Sequence, residues 1–220
     1  MMSSRSDTCF VIAIAGPSGA GKSTAVSNLV ARLGDAAALY FDDYEATSTY
    51  PDMAQWLADE ADPNQFQTPQ LSADLRTLRA GAAIALPQAG RVVEPARVIV
   101  LEEPFGRERT EIADLIDFVI CLDLPLGIAL ARKLQRMLGF FLAEQTPDAF
   151  AKHLQFFLPW YIESGHDLYL AVQQRVLRQC DLIADGRLPP DALADTIAER
   201  SALECSSPAD RRAVRPLRRG

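Results

Sequence analysis

Apolar and polar positions along the chain fall into two alternating patterns. Short runs rich in β-branched residues, "CFVIAIA" (9–15), "AALYF" (37–41), "RVIVL" (97–101), "FVICL" (118–122) and "DLIA" (181–184), are continuously apolar, as expected of strands covered on both faces. Between them the spacing is helical. From Lys22, the positions Val26, Leu29, Val30 and Leu33 follow an i, i+3, i+4, i+7 pattern, and Gly34 supplies the stop. Pro125 opens another helix at "PLGIALARKLQRMLG", with Gly139 as its expected stop. Weaker helical patterns cover about 71–80, 147–158, 160–178 and 190–204. The segment 51–90 carries four prolines and reads as an irregular insertion with a helix or two. The alternation predicts an α/β fold, a five-stranded parallel sheet flanked by helices on both faces.

Composition narrows the partners. A chain of 220 residues with 49% apolar content can bury a full core as one domain. The net charge of -7 disfavours non-specific attraction to nucleic acid or anionic lipid. Only the end differs: "RRAVRPLRRG" packs five arginines into ten residues, read here as a basic, disordered and solvated tail over 206–220. The four cysteines, Cys9, Cys121, Cys180 and Cys205, show no metal-ligand spacing and fit buried reduced thiols in a cytoplasmic protein. No apolar run reaches 18 residues, and the first one lacks the flanks of a signal peptide. A specific nucleic-acid or membrane partner is therefore not expected, and a homo-oligomer is left open.

The most informative segment is "GPSGAGKST", which matches G-x-x-x-x-G-K-[ST] between a buried-type strand and an amphipathic helix. Glycines let backbone N–H groups converge on a polyphosphate, and the helix N-terminus adds partial positive charge. Gly16, Ser18, Gly19, Ala20, Gly21, Lys22, Ser23 and Thr24 are the expected nucleotide contacts, with Lys22 reaching the β- and γ-phosphates and Ser23 a ligand of Mg²⁺. Three classes use such a site: a small-molecule kinase, a guanine-nucleotide switch and an ATPase motor. The chain has no N-K-x-D to specify guanine, and its length leaves little room for motor elements.

Several segments, in order, resemble the uridine kinase and phosphoribulokinase group of P-loop kinases. "IAIAGPSGAGKST" looks like that group's nucleotide loop, "YFDDYE" like its acidic segment after the second strand, and "NQFQTPQLSADLRTLRAG" like its Pro-containing approach to a Leu-rich helix. "VIVLEEPFG", "LIDFVICLDLPLGIALARKLQR" and "CDLIADG" resemble the third-strand motif, the lid-bearing segment and the last strand. The resemblance implies a P-loop NTPase fold with a helical acceptor-site insertion at about 45–92 and a lid at about 132–150, in a single kinase domain over 1–205. It also implies an ATP- and Mg²⁺-dependent enzyme that moves the γ-phosphoryl group to a hydroxyl of a small acceptor, a nucleoside by preference.

Carried over by position, Asp42 matches the group's catalytic aspartate, Glu102 its third-strand glutamate, and Arg132 and Arg136 its phosphate-clamping lid arginines. Asp42 and Glu102, with Ser23, form the expected metal set, while Tyr44 and Glu103 are acceptor-side candidates. Successive strand residues point to opposite faces, so only one of Asp42 and Asp43 is expected to face the phosphate loop. The resemblance selects Asp42. Departures fall on acceptor recognition: Glu103 stands where the group has glycine, and "ALPQAGRVVEP" lacks the group's Pro-x-Tyr-Asp stretch and histidine. His153 and His166 are expected to pack or face solvent. The aromatics Phe156, Phe157, Trp160, Tyr161 and Tyr169 are core, with an acceptor wall as the alternative. Other acceptors, such as pantothenate, a sugar or a nicotinamide riboside, stay open, as does a regulatory ATPase without small-molecule kinase activity.

Overall fold

The computed structural model describes residues 9–144 and 146–205. The chain begins with strand β1 (Phe10–Ala15) and helix α1 (Lys22–Leu33), then β2 (Ala36–Leu39) and a 3-10 helix over Phe41–Thr47. Next come α2 (Met53–Ala58), α3 (Pro69–Arg79), the short strands β3 (Ile84–Leu86) and β4 (Arg91–Val93), and β5 (Val98–Glu102). The second half holds β6 (Phe118–Asp123), α4 (Leu126–Ala143), α5 (Pro147–Trp160), α6 (His166–Gln179), β7 (Leu182–Asp185) and α7 (Pro190–Cys205).

Five of the strands form one parallel sheet in the order β2-β5-β1-β6-β7. Alternate residues of each strand feed separate cores. Val11, Ala13, Ile99, Leu101 and Val119 pack toward α3 and α6, while Ile12, Ile14, Val100, Ile120 and Leu122 pack toward α1 and α7. Burial on both faces explains why the central strands β1, β5 and β6 read as apolar runs.

The helices differ from expectation at two places. Gly139 does not stop α4, which runs on to Ala143; the residue is absent from the positive-φ positions, so it takes no left-handed cap. Pro159 does not separate two helices either. It sits inside α5, and the chain continues through a π-helical turn, Tyr161–Gly165, directly into α6. The antiparallel pair β3 and β4 was not foreseen, because three-residue strands with Val92 exposed carry no readable period.

One buried ion pair fastens the segment between β2 and β5 to the sheet. Glu103 and Arg109 are both fully buried and meet at 2.6 Å and 3.1 Å. Arg109 also donates to the Phe66 carbonyl at 3.0 Å and to Thr68 Oγ1 at 2.8 Å, and its guanidinium lies 5.5 Å from the Phe41 ring centre. Cys9 and Cys121 are buried and Cys180 half-buried, all as free thiols. Among the described residues no helix is long and apolar enough to cross a membrane. The basic tail, 206–220, lies outside the described residues.

Removing one member of a buried pair strands the other charge. Glu103→Ala is expected to cost about 3–5 kcal/mol of stability in urea titrations. Replacing both Glu103 and Arg109 with apolar residues of similar volume is expected to cost markedly less.

Candidate active site

The glycine-rich loop bridges β1 and α1 at the carboxyl edge of the sheet. Gly21 is the N-cap of α1, no side chain caps the helix, and its first turn holds no acid. The first amide donors are thus left for an external anion. Gly19 has φ +89°, and a Cβ there would lie 2.1 Å from the Ala129 carbonyl oxygen, so only glycine lets the base of α4 close over the loop. Ala20 turns its methyl into the core and can meet a ligand only through its backbone.

A cleft of about 410 Å³ opens over this loop. Gly16, Ser18, Gly19, Gly21, Lys22, Ser23 and Thr24 line it, together with Asp42, Glu102 and Arg136. Lys22 is buried; its ammonium donates to the Pro17 carbonyl at 3.3 Å and lies 3.7 Å from a Glu102 carboxylate oxygen. Burial pulls the Lys22 pKa below the ordinary lysine value, and the charges of Glu102 and then Asp42 oppose that shift. Among the described residues no three His, Cys, Asp or Glu side chains cluster as a metal cage. Ser23, Asp42 and Glu102 offer hard oxygens in one cleft, a set that suits Mg²⁺ held by one or two carboxylates, water and phosphate.

The two adjacent aspartates part company, although not by strand alternation. The strand β2 ends at Leu39, and Asp42 and Asp43 open the 3-10 helix, whose rotation per residue turns them apart. Asp42 is exposed in the cleft. Asp43 instead accepts from Arg91 at 2.6 Å, and Arg91 also donates to the Ala38 carbonyl at 3.2 Å and lies 5.5 Å from the Tyr40 ring centre. The β3-β4 pair therefore clamps the acidic turn from outside.

The family model described as "Phosphoribulokinase / Uridine kinase family" matches residues 11–138. The chain belongs to the phosphoribulokinase and uridine kinase family. A uridine kinase of Halobacterium salinarum is 31% identical over 139 residues, which cover 58% of this chain and 62% of that protein. The chain thus spans less than two thirds of that relative. A uridine kinase of Salmonella paratyphi B is 31% identical over 152 residues, 61% of this chain and 71% of the relative. Among solved structures, a candidate fructose transport system kinase from Silicibacter sp. TM1040 superposes with a TM-score of 0.52 at 19% identity, covering 83% of this chain and 92% of that one. That likeness carries the fold alone, that of a P-loop kinase.

Three of the site residues expected from the sequence, Tyr44, Glu103 and Arg132, lie outside the cleft. Tyr44 is buried and donates to Asp74 at 3.1 Å, and burial beside that carboxylate drives its hydroxyl pKa up, so it braces the 3-10 helix against α3. Glu103 is consumed by Arg109, burial pushing its carboxyl pKa up against the pull of the guanidinium. Arg132 donates to the Gly186 carbonyl at 2.8 Å, while Arg136, one turn further along α4, lines the cleft. The two arginines, four residues apart, could share one helix face and one polyanion, but the Gly186 carbonyl takes up Arg132 and leaves only Arg136 at the cleft. His153 and His166 are exposed. The aromatic cluster divides: Phe157 and Tyr161 are buried, Phe156 is exposed, and Trp160 and Tyr169 line the cleft. Sequence reasoning passed over Phe41, Phe66 and Phe105, which also line the cleft, although all three lie in quoted segments.

A larger groove of about 720 Å³ runs between α6 and the edge strand β7. It lacks the glycine-rich loop, and its Asp185 and Arg187 are paired with each other at 3.0 Å.

Lys22 would hold a triphosphate in its charged form. Its depressed pKa means that affinity for Mg²⁺-free ATP falls as pH rises, beginning below the ~10.4 of free lysine. Titration calorimetry across pH is expected to show this alkaline limb move to lower pH in Glu102→Gln, which removes the strongest charge holding the proton, and flatten in Lys22→Arg.

Proposed function

We propose that the protein transfers the γ-phosphoryl group of ATP to a hydroxyl of a small molecule, with a nucleoside as the acceptor the family suggests. The observation that carries this reading is that Asp42 lines the same cleft as Lys22 and the glycine-rich loop. A carboxylate facing a phosphate cradle across an organic-sized space suits phosphoryl transfer, where catalysis is positioning and charge neutralisation.

In this mechanism the loop amides and Lys22 hold the β- and γ-phosphates. Asp42 orients the acceptor hydroxyl and takes its proton as the oxygen bonds to the γ-phosphorus and the bond to the β-γ bridging oxygen breaks, releasing ADP. Arg136 offsets charge on the transferring group, and Arg132 supports the base of the lid. Ser23, with Asp42 and Glu102, would hold Mg²⁺, which supplies charge neutralisation at the phosphates. The segments at about 45–92 and 132–150 act in this reading as acceptor insertion and lid of one domain spanning 1–205.

A screen for ADP release with ATP, Mg²⁺ and a panel of hydroxyl acceptors tests the reading. Acceptor-dependent release is expected. Acceptor-independent hydrolysis as the only turnover would instead favour a regulatory ATPase. With an accepted substrate, Asp42→Asn is expected to lower kcat by about 10²–10⁴-fold, with affinity for Mg²⁺-free ATP retained.

Arg91 touches neither loop nor cleft, yet it holds the turn that carries Asp42. Arg91→Met is expected to lower kcat by about tenfold or more, since small misplacements of a catalytic group are costly. The ATP dissociation constant should stay unchanged, and Arg91→Lys should recover part of the loss.

A further inference from the structure

Helix α4 turns its charges inward and leaves its outer face without any. Leu126 and Ala129 are buried at its base, and Arg132, Lys133 and Arg136 reach the Gly186 carbonyl, the Tyr169 hydroxyl and the cleft. Phe141 faces α5, its ring centre 5.7 Å from that of Phe150. The opposite side of the helix holds Ile128, Ala131, Gln135, Leu138 and Leu142, all exposed, with Ile128 and Leu138 at 39% and Leu142 at 56%. The solvent side of a surface helix is ordinarily charged and polar. Contiguous apolar surface left open to water marks a contact site instead.

The spacing of that face fits another helix. Its five positions advance by steps of three, four, three and four, the a/d seam of a helix pair. The seam is also self-complementary. With a second α4 antiparallel about a twofold axis at Gln135, Ile128 of one copy lies opposite Leu142 of the other, and Ala131 opposite Gly139. The small pair lets the helices close beside the axis, while the large pair covers the ends. At the axis the two Gln135 amides meet, each able to donate and to accept, and a single polar residue in a seam fixes its register. Antiparallel order opposes the helix dipoles. It also keeps the two bodies apart, since the base of α4 closes over the phosphate loop at Gly19 and Ala129, whereas residues 138–140 and 142–144 stand exposed.

Charge selects a second copy over other partners. The net charge of -7 makes two copies repel where their charged surfaces meet, but not across this seam. A nucleic acid or a charged peptide would find no counter-charge among the five positions. The area implies a weak pair. Helix α4 has 18 residues, about 27 Å of length and about 10 Å of width. Its outer face thus offers on the order of 300 Å², against the ~800 Å² per partner of a standard interface.

We propose that the outer face of α4 is a homodimer seam, at which two copies pair α4 antiparallel about Gln135 in a concentration-dependent equilibrium with the monomer. Sedimentation velocity between about 1 and about 200 µM is expected to show monomer giving way to dimer. Leu138→Glu, which places like charges in both halves of the seam, is expected to weaken association at least tenfold with the circular dichroism spectrum unchanged. Disulfide trapping reads the geometry: Gln135→Cys is expected to cross-link to itself above the background of the parent chain, and Ile128→Cys to cross-link only when mixed with Leu142→Cys. A monomer at every concentration, a dimer that Leu138→Glu leaves as tight, or Ile128→Cys cross-linking to itself overturns the proposal. A monomer that instead co-sediments with phosphatidylcholine vesicles, and ceases to in Leu138→Glu, gives the face to a lipid surface and overturns it as well. Should Leu138→Glu fail to fold, the trapping decides.

Discussion

Arg109 joins parts of the chain that lie far apart in sequence. Its guanidinium spans Glu103 at the end of β5, the Phe66 carbonyl and Thr68 before α3, and the ring of Phe41 beside Asp42. A guanidinium suits this post because its fork of donors is rigid and always charged. Burying it without a counter-ion would be costly, and Glu103 satisfies it from both carboxylate oxygens. Through this contact, the segment before α3, the acidic turn and the central sheet share one geometry.

The sheet edges treat acids differently. At the amino edge, Asp117 accepts from the Val11 amide at 2.8 Å and Asp181 from the Val119 amide at 2.7 Å, so these carboxylates satisfy strand ends. Each is also paired with an arginine, Arg79 at 2.9 Å and Arg107 at 2.8 Å. At the carboxyl edge, where open α/β sheets place their ligands, Asp42 and Glu102 line the cleft instead. Asp117 and Asp181 thus serve folding at one edge, while Asp42 and Glu102 face the cleft at the other. Arg91 sharpens the division within the acidic turn, engaging Asp43 and leaving Asp42 to the cleft.

Much of this was legible in the chain because parallel strands and the phosphate loop write dense, local signals. Five apolar runs marked the five strands of the sheet, and "GPSGAGKST" marked the loop that lines the cleft. What escaped was set by contacts between distant segments. The substitution of glycine by Glu103 looked like an altered acceptor site, yet its meaning lay six residues on, in Arg109, which no periodic pattern singles out. Tyr44 carried the right chemistry for an acceptor contact, but Asp74, thirty residues away, took its hydroxyl. The strand rule set Asp42 and Asp43 on opposite sides by a geometry that ends at Leu39, and only the family resemblance chose between them. A 3-10 helix follows, and its register and Arg91 make the separation.

A local irregularity also shapes the cleft where Trp160 and Tyr169 line it. Pro159 and Gly165 set that irregularity: the proline offers no amide to the helical ladder, and the glycine leaves room for the Trp160 indole. A regular helix through 155–170 would keep the ladder but crowd Trp160 wherever residue 165 bore a Cβ. The irregular turn exchanges ideal hydrogen bonding for a flat face beside the phosphate loop, and such an exchange is stable because α5 and α6 remain packed on either side of it.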